Sequence, residues 1–182
     1  MSNSILQSIK PQYCELIAAG KKTIEVRKTK PKLDVPFMVY IYCTKGENLW
    51  KKGNSVFLDK RYNRLLQTFD HMLNGKVIGE YVCDRIEAFS PSTAPYETDS
   101  TITRTSCLSI VELIKYSNMD KPLYGWHISD LKIYDKPKEL SEFQRACNHE
   151  NCGKCKRPIT EKLSCTAGLN RPPQSWCYVE EV

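Results

Sequence analysis

The chain has 182 residues, 41% apolar and 26% charged, with 27 Lys and Arg against 21 Asp and Glu for a formal net charge of +6. That excludes a disordered polyelectrolyte and suits one domain able to bury its own core. No segment approaches the roughly 18 apolar residues of a membrane helix, and the opening MSNSILQSIKPQYC lacks the apolar core of a secretory leader. The expectation is a soluble, cytoplasmic protein with no membrane partner, whose mild positive excess permits an anionic ligand without requiring one.

Residues 11–19 predict a short helix, with Pro11 at the first helical position and Tyr13, Leu16 and Ile17 on one face. Gly20 suits the left-handed residue that ends it. In KTIEVRK, Ile24 and Val26 alternate with Thr23, Glu25 and Arg27, the period of a half-buried strand. PFMVYIYC, residues 36–43, is apolar on both faces and predicts a central strand. Residues 45–75 are polar and basic, and predict an insertion holding a strand and a short helix. KVIGEYVCDRIEAF predicts a long strand with a bulge or bend at Gly79, followed by a Ser/Thr/Pro-rich loop over 90–106. Ser106 is the expected cap of a helix running to about Tyr116, with Leu108, Val111, Leu113 and Ile114 inward. YGWHISDLKIY predicts a strand broken near Ser129, and QSWCYVE a closing strand after Pro172 and Pro173. Several strands with few helices between them argue against βαβ units. The expected architecture is α+β: one domain over 1–182, a small mixed β-barrel with peripheral helices.

Four of the nine cysteines cluster in CNHENCGKCKRPITEKLSC, within a loop at 145–168. Cys152 and Cys155 lie on one tight turn eased by Gly153, and Cys147 and Cys165 complete a tetrahedral thiolate set. His149 is an alternative to Cys147. A closed set of this kind suits a structural Zn²⁺; an iron–sulfur cluster or a redox switch would draw on the same thiols.

Between Gly20 and Pro31 there are five cations, Lys21, Lys22, Arg27, Lys28 and Lys30, and one acid, Glu25. Glu25 and Arg27 share strand parity, while Lys22 stands at the strand's start, where a turn lets it swing toward Glu25. Two readings stay open from these residues. One is a solvated cationic strand with an ordinary surface ion pair. The other is an anion site in which Arg27 offers a planar fork, Lys22 acts as base or nucleophile, and Glu25 orients Lys22 or a water.

At this stretch the chain resembles the ASCH domain family, whose signature G-x-K-x-x-E-h-R, with h apolar, is matched in full by Gly20-Lys21-Lys22-Thr23-Ile24-Glu25-Val26-Arg27. SIKPQYCELIAAG resembles that family's opening strand and helix. LYGWHISDLKIYDKPKEL and RPPQSWCYVEE resemble segments of bacterial and phage members that carry a cysteine-bearing loop. The resemblance covers nearly the whole chain. It implies a PUA-like barrel and binding of single-stranded RNA, a nucleotide or a modified nucleoside, in a cleft lined by Lys22, Glu25 and Arg27. One branch of the family removes the acetyl group of N4-acetylcytidine with a lysine, a threonine and an acid. Lys22 matches the lysine, but the threonine position falls on Glu25 in this chain. Other relatives look like single-stranded RNA nucleases. The resemblance therefore implies binding first and hydrolysis as the alternative, with Lys22 and Glu25 as catalytic candidates. Lys28, Thr23 and Lys10 stand beside Arg27 as ligand-binding candidates. Tyr124, Trp126, His127, Trp176 and Tyr178 are candidate base-stacking or base-reading side chains. A second basic group, Lys51, Lys52, Lys60, Arg61 and Arg64, reads as a solvated face or a phosphate-tracking surface.

Overall fold

The computed structural model describes residues 4–59, 69–91, 101–118, 121–145 and 169–181. Its largest sheet has the order β10-β7-β3-β1-β12-β11. In chain sequence these strands are β1 (Ser4–Ile9), β3 (Phe37–Cys43), β7 (Val77–Cys83), β10 (Ser129–Lys138), β11 (Phe143–Arg145) and β12 (Trp176–Glu181). β1 and β3 run parallel, and the remaining neighbours antiparallel. The crossover between the parallel pair carries α1 (Pro11–Ala18) and β2 (Ile24–Arg27). β2 belongs to a second sheet, of order β2-β9-β8, with β8 (Ile86–Phe89) and β9 (Leu123–His127). A third small sheet joins β5 (Ser55–Leu58), β4 (Leu49–Lys52) and β6 (His71–Met72).

β3 is the central strand that its two apolar faces predict. It lies between β7 and β1, and apolar cores cover both faces of the large sheet. The larger core joins Ile5, Val39, Ile41 and Tyr81 of the sheet to Ile17 of α1 and Trp126 of β9. The opposite one holds Leu6, Tyr40, Phe143 and Val179. Each such side chain taken fully from water contributes roughly 1.5–3 kcal/mol.

The two long strands predicted around 76–89 and 124–134 form one bent antiparallel hairpin. β7 turns into β8 at Asp84 and Arg85, and β9 turns into β10 at Ile128. The corner is tied by His127 N–H donating to Arg85 O at 3.0 Å and Ser129 Oγ donating to Val82 O at 2.9 Å. Gly79 sits beside the register irregularities its position predicts, and a Cβ there would collide with the Lys132 carbonyl oxygen of β10.

Three expectations are corrected. The described strands do not close into a hydrogen-bonded barrel: β10 and β11 remain separate edges, because the ladder turns through the corner and opens a second sheet. Part of the expected loop over 90–106 is helical, as α2 (Thr101–Ser106). The following helix, α3 (Ile110–Ser117), is capped by Ser109 and not by Ser106. Ser109 and Glu112 form a reciprocal capping box, which satisfies the N-terminal amides better than Ser106 could from the preceding helix. Val111 accordingly points outward at 70% exposure, while Leu113 is buried. The helix expected after β5 falls on residues 60–68, outside the described ones. Among the described residues no helix is long and apolar enough to cross a membrane.

Candidate functional site

All four residues of β2 are buried, although alternation alone predicts one wet face. Ile24 and Val26 pack with Leu113 of α3 and Leu123 of β9, covered by Ile102 and Leu108. The polar face turns toward the larger core, so Lys22, Glu25 and Arg27 are only 2%, 6% and 7% exposed.

These three side chains meet. Glu25 Oε1 lies 3.1 Å from Arg27 Nη2, and Glu25 Oε2 lies 3.3 Å from Lys22 Nζ. Lys22 reaches Glu25 despite its opposite parity because the chain turns back over the end of α1. Gly20 takes a left-handed φ of +68°, and the Lys21 and Lys22 amides both donate to Leu16 O. The cations are then pinned from far along the chain. Lys22 Nζ donates to Ser106 O at 2.6 Å and sits 5.1 Å above the Tyr13 ring. Arg27 Nη2 donates to Ser8 O at 2.7 Å, and Nη1 reaches Ser175 Oγ at 3.4 Å. Such a network repays its desolvation only while every member keeps its partners.

The cluster forms the inner wall of an open cleft of about 620 Å³. Exposed Lys10, Lys28 and Lys115 line the same cleft, so they make its rim. Lys28 Nζ lies 4.8 Å above the ring of Tyr116. Five cations therefore face two carboxylates, Glu25 and Glu112. Ser109 holds the Glu112 carboxyl below its ordinary range by hydrogen bonding, so it is ionised at neutral pH. Burial, with the negative charges of Glu112 and Glu25, pushes the Tyr13 hydroxyl up. Burial also raises that of Tyr116, against the pull of the Arg27 guanidinium. Both phenols thus stay neutral and able to donate.

Of the sequence candidates, the cleft gathers Lys22, Glu25, Arg27, Lys28 and Lys10. Thr23 is exposed and serves through its backbone, donating to Thr105 O and accepting from Ile128 N–H. Trp126 pairs opposite Glu25, shares its face of the sheet and is taken up whole by the core, edge-on to Phe37 and against Trp176. It offers no free ring face to a base. Tyr124 packs half-buried on the same core. His127 turns to the far corner, with Nδ1 3.2 Å from Arg85 Nη2 and Nε2 3.4 Å from Glu87 Oε1. Trp176 Nε1 donates to Thr29 Oγ1, and Tyr178 Oη accepts from Lys32 N–H. Lys51 is buried beside Asp135 at 3.2 Å, while Lys60, Arg61 and Arg64 lie outside the described residues. Cys147, His149, Cys152, Cys155 and Cys165 also lie outside them. Among the described residues no group of His, Cys, Asp and Glu is placed to hold a metal, and the five described cysteines are free thiols.

Sequence reasoning missed Tyr13, Glu112, Lys115 and Tyr116 as cleft residues, and Ser106 as the carbonyl that holds Lys22. The Ser109-x-x-Glu112 pattern is a legible helix start and would have placed Glu112 at the head of α3. Nothing local marks Tyr116 or the Ser106 carbonyl, which arrive through the tertiary fold.

A sheet-dominated α+β frame with a GxKxxExR strand beside a cationic cleft defines a PUA-like domain. The chain belongs to the ASCH domain family, whose model matches residues 8–152. Its fold is similar to the crystal structure of ASCH from Zymomonas mobilis, with a TM-score of 0.58 and 17% identity over 99% of this chain and 90% of that one. Two mutants of that protein align at TM-scores of 0.57 and 0.54, with 17% and 15% identity. They cover 97% and 98% of this chain, and 90% and 89% of theirs. At such identities the likeness concerns the fold. No curated protein matches the chain significantly.

Proposed function

We propose that the chain binds single-stranded RNA or a nucleotide, modified nucleosides included, in the cleft beside β2. The observation that carries this reading is the layering of the cleft: a dry Lys22–Glu25–Arg27 cluster inside and exposed Lys10, Lys28 and Lys115 outside. Rim lysines suit phosphates, which release counterions on binding, and the inner wall suits the uncharged part of the ligand. Titrating RNA affinity against salt tests it. With three phosphate contacts the log–log slope is about −2, at roughly −0.7 per contact for single strands. Affinity indifferent to salt contradicts the reading.

The 3.3 Å approach of Lys22 to Glu25 favours a second reading, a hydrolase at the same cleft that acts as an N4-acylcytidine-type amidohydrolase or a single-stranded RNA nuclease. Lys22 would be base or nucleophile, Glu25 the relay, and Arg27 the holder of the developing anion. Lys22 must first leave the Ser106 carbonyl to react. Wild-type turnover of N4-acylcytidine or RNA, lost in a folded Lys22→Ala variant, supports this reading; no turnover on either substrate sets it aside.

We also propose a structural Zn²⁺ held by Cys147, Cys152, Cys155 and Cys165, with His149 as the alternative to Cys147. The support is the donor set itself, four soft ligands in nineteen residues with one Cys-x2-Cys spacing. Bound there, the metal would close the loop and leave no open position for catalysis. Metal analysis of purified protein is expected to find about one zinc per chain.

A further inference from the structure

Two buried polar atoms in the cleft wall have no hydrogen-bond partner: the acceptor Glu25 Oε2 and the donor Arg27 Nε. Lys22 Nζ approaches Glu25 Oε2 at 3.3 Å, but without the alignment of a hydrogen bond. Both side chains are 8% exposed, and both line the cleft. They sit two residues apart on one face of β2, joined edge to edge through the 3.1 Å contact of Glu25 Oε1 with Arg27 Nη2. Of the other Arg27 nitrogens, Nη2 is held by Ser8 O and Glu25 Oε1, and Nη1 reaches Ser175 Oγ at 3.4 Å.

An unpaired donor beside an unpaired acceptor selects the chemistry of what approaches. A phosphate carries only acceptors and meets the Glu25 carboxylate as a like charge. An ammonium carries only donors and leaves Arg27 Nε unmet. A planar heterocycle edge presents donor and acceptor side by side, and the rings of Tyr13 and Tyr116 with Leu108 give the cleft apolar walls. We infer that the inner end of the cleft reads the hydrogen-bonding edge of a nucleobase, with Glu25 accepting and Arg27 donating, while phosphates stay at the rim with Lys10, Lys28 and Lys115. This assigns an orientation to the ligand and rests on the RNA or nucleotide reading above.

The test uses the wild-type protein and single-stranded RNA pentamers of equal backbone charge. These are the four homopentamers, an abasic ribose–phosphate pentamer, and the best-bound homopentamer with the pairing edge of its base methylated to a neutral analogue. Affinity is read by calorimetry at one salt concentration. The expected result is a loss of about tenfold or more for both the abasic and the edge-methylated strands, because each leaves the buried pair unmet. Abasic and base-bearing strands of equal affinity overturn the inference and leave a phosphate-binding cleft standing. A loss on removing the base but not on methylating its edge assigns the preference to stacking, and also overturns it. No binding of any pentamer overturns the RNA reading and this inference together.

Discussion

The β2-β9-β8 sheet carries a cluster of three ionisable residues at each side. On β2 and the turn before it, Lys22, Glu25 and Arg27 converge with side chains at most 8% exposed. At the β8–β9 corner, Arg85, Glu87 and His127 also lie within 3.4 Å of one another, but Arg85 and Glu87 are 62% and 46% exposed. Residue types and distances are alike; the environment differs. Water screens the corner cluster, so its pairs contribute about 0–1 kcal/mol. The β2 cluster has left water and depends on its own partners. Burial, and not the pattern of charges, marks one cluster as a candidate site and the other as surface.

Breaking each cluster sharpens the contrast. Glu25→Ala strands two buried cations and is expected to cost roughly 3–5 kcal/mol in denaturant unfolding. A cost near that of a surface pair would show that water already reaches the cluster. Ser109→Ala removes the cap of the helix that walls the cleft and is expected to cost about 0.5–2 kcal/mol. That cap also has a pH signature. The folded pKa of Glu112 lies below its ordinary value of 4.5, so its contribution is complete above that value and fades as pH falls through the lowered one. The Ser109→Ala variant should lose the hydroxyl's share of this acid-limb loss and keep the larger share, because the Ser109 amide still donates to Glu112 Oε2. Lys28→Ala and Lys115→Ala leave stability nearly unchanged, yet each lowers the salt slope of RNA binding by about 0.7 if its lysine meets a phosphate. Glu87→Ala at the corner is expected to cost at most about 1 kcal/mol, and less as salt rises.

Much of this arrangement is legible in the sequence, and the rest is hidden for a physical reason. Pro11 and Gly20 bracket α1, the parity of Glu25 and Arg27 puts them on one face, and the turn at Gly20 brings Lys22 to them. All of these are local. The burial of that face comes from Ser106, 84 residues beyond Lys22, and from Ser175, 148 residues beyond Arg27. No window of sequence contains those contacts. Trp126 fails as a stacking platform for the same reason: β-alternation places it opposite Glu25, but only packing decides that the core takes it. The barrel fails because the corner is tied by His127 to Arg85 and by Ser129 to Val82. Only its Ser129 half shows in the sequence, as the break read there, while the 76–89 run carries no sign of the turn at Asp84 and Arg85.

Backbone amide shifts during titration with a single-stranded RNA pentamer place the ligand on one cluster or the other. Perturbations centred on residues 22–28, 108–116 and Lys10, with the 85–87 and 127 corner unmoved, are what a β2 cleft requires. Shifts gathered at the Arg85–Glu87–His127 corner, or saturable binding that leaves residues 22–28 unperturbed, would contradict it.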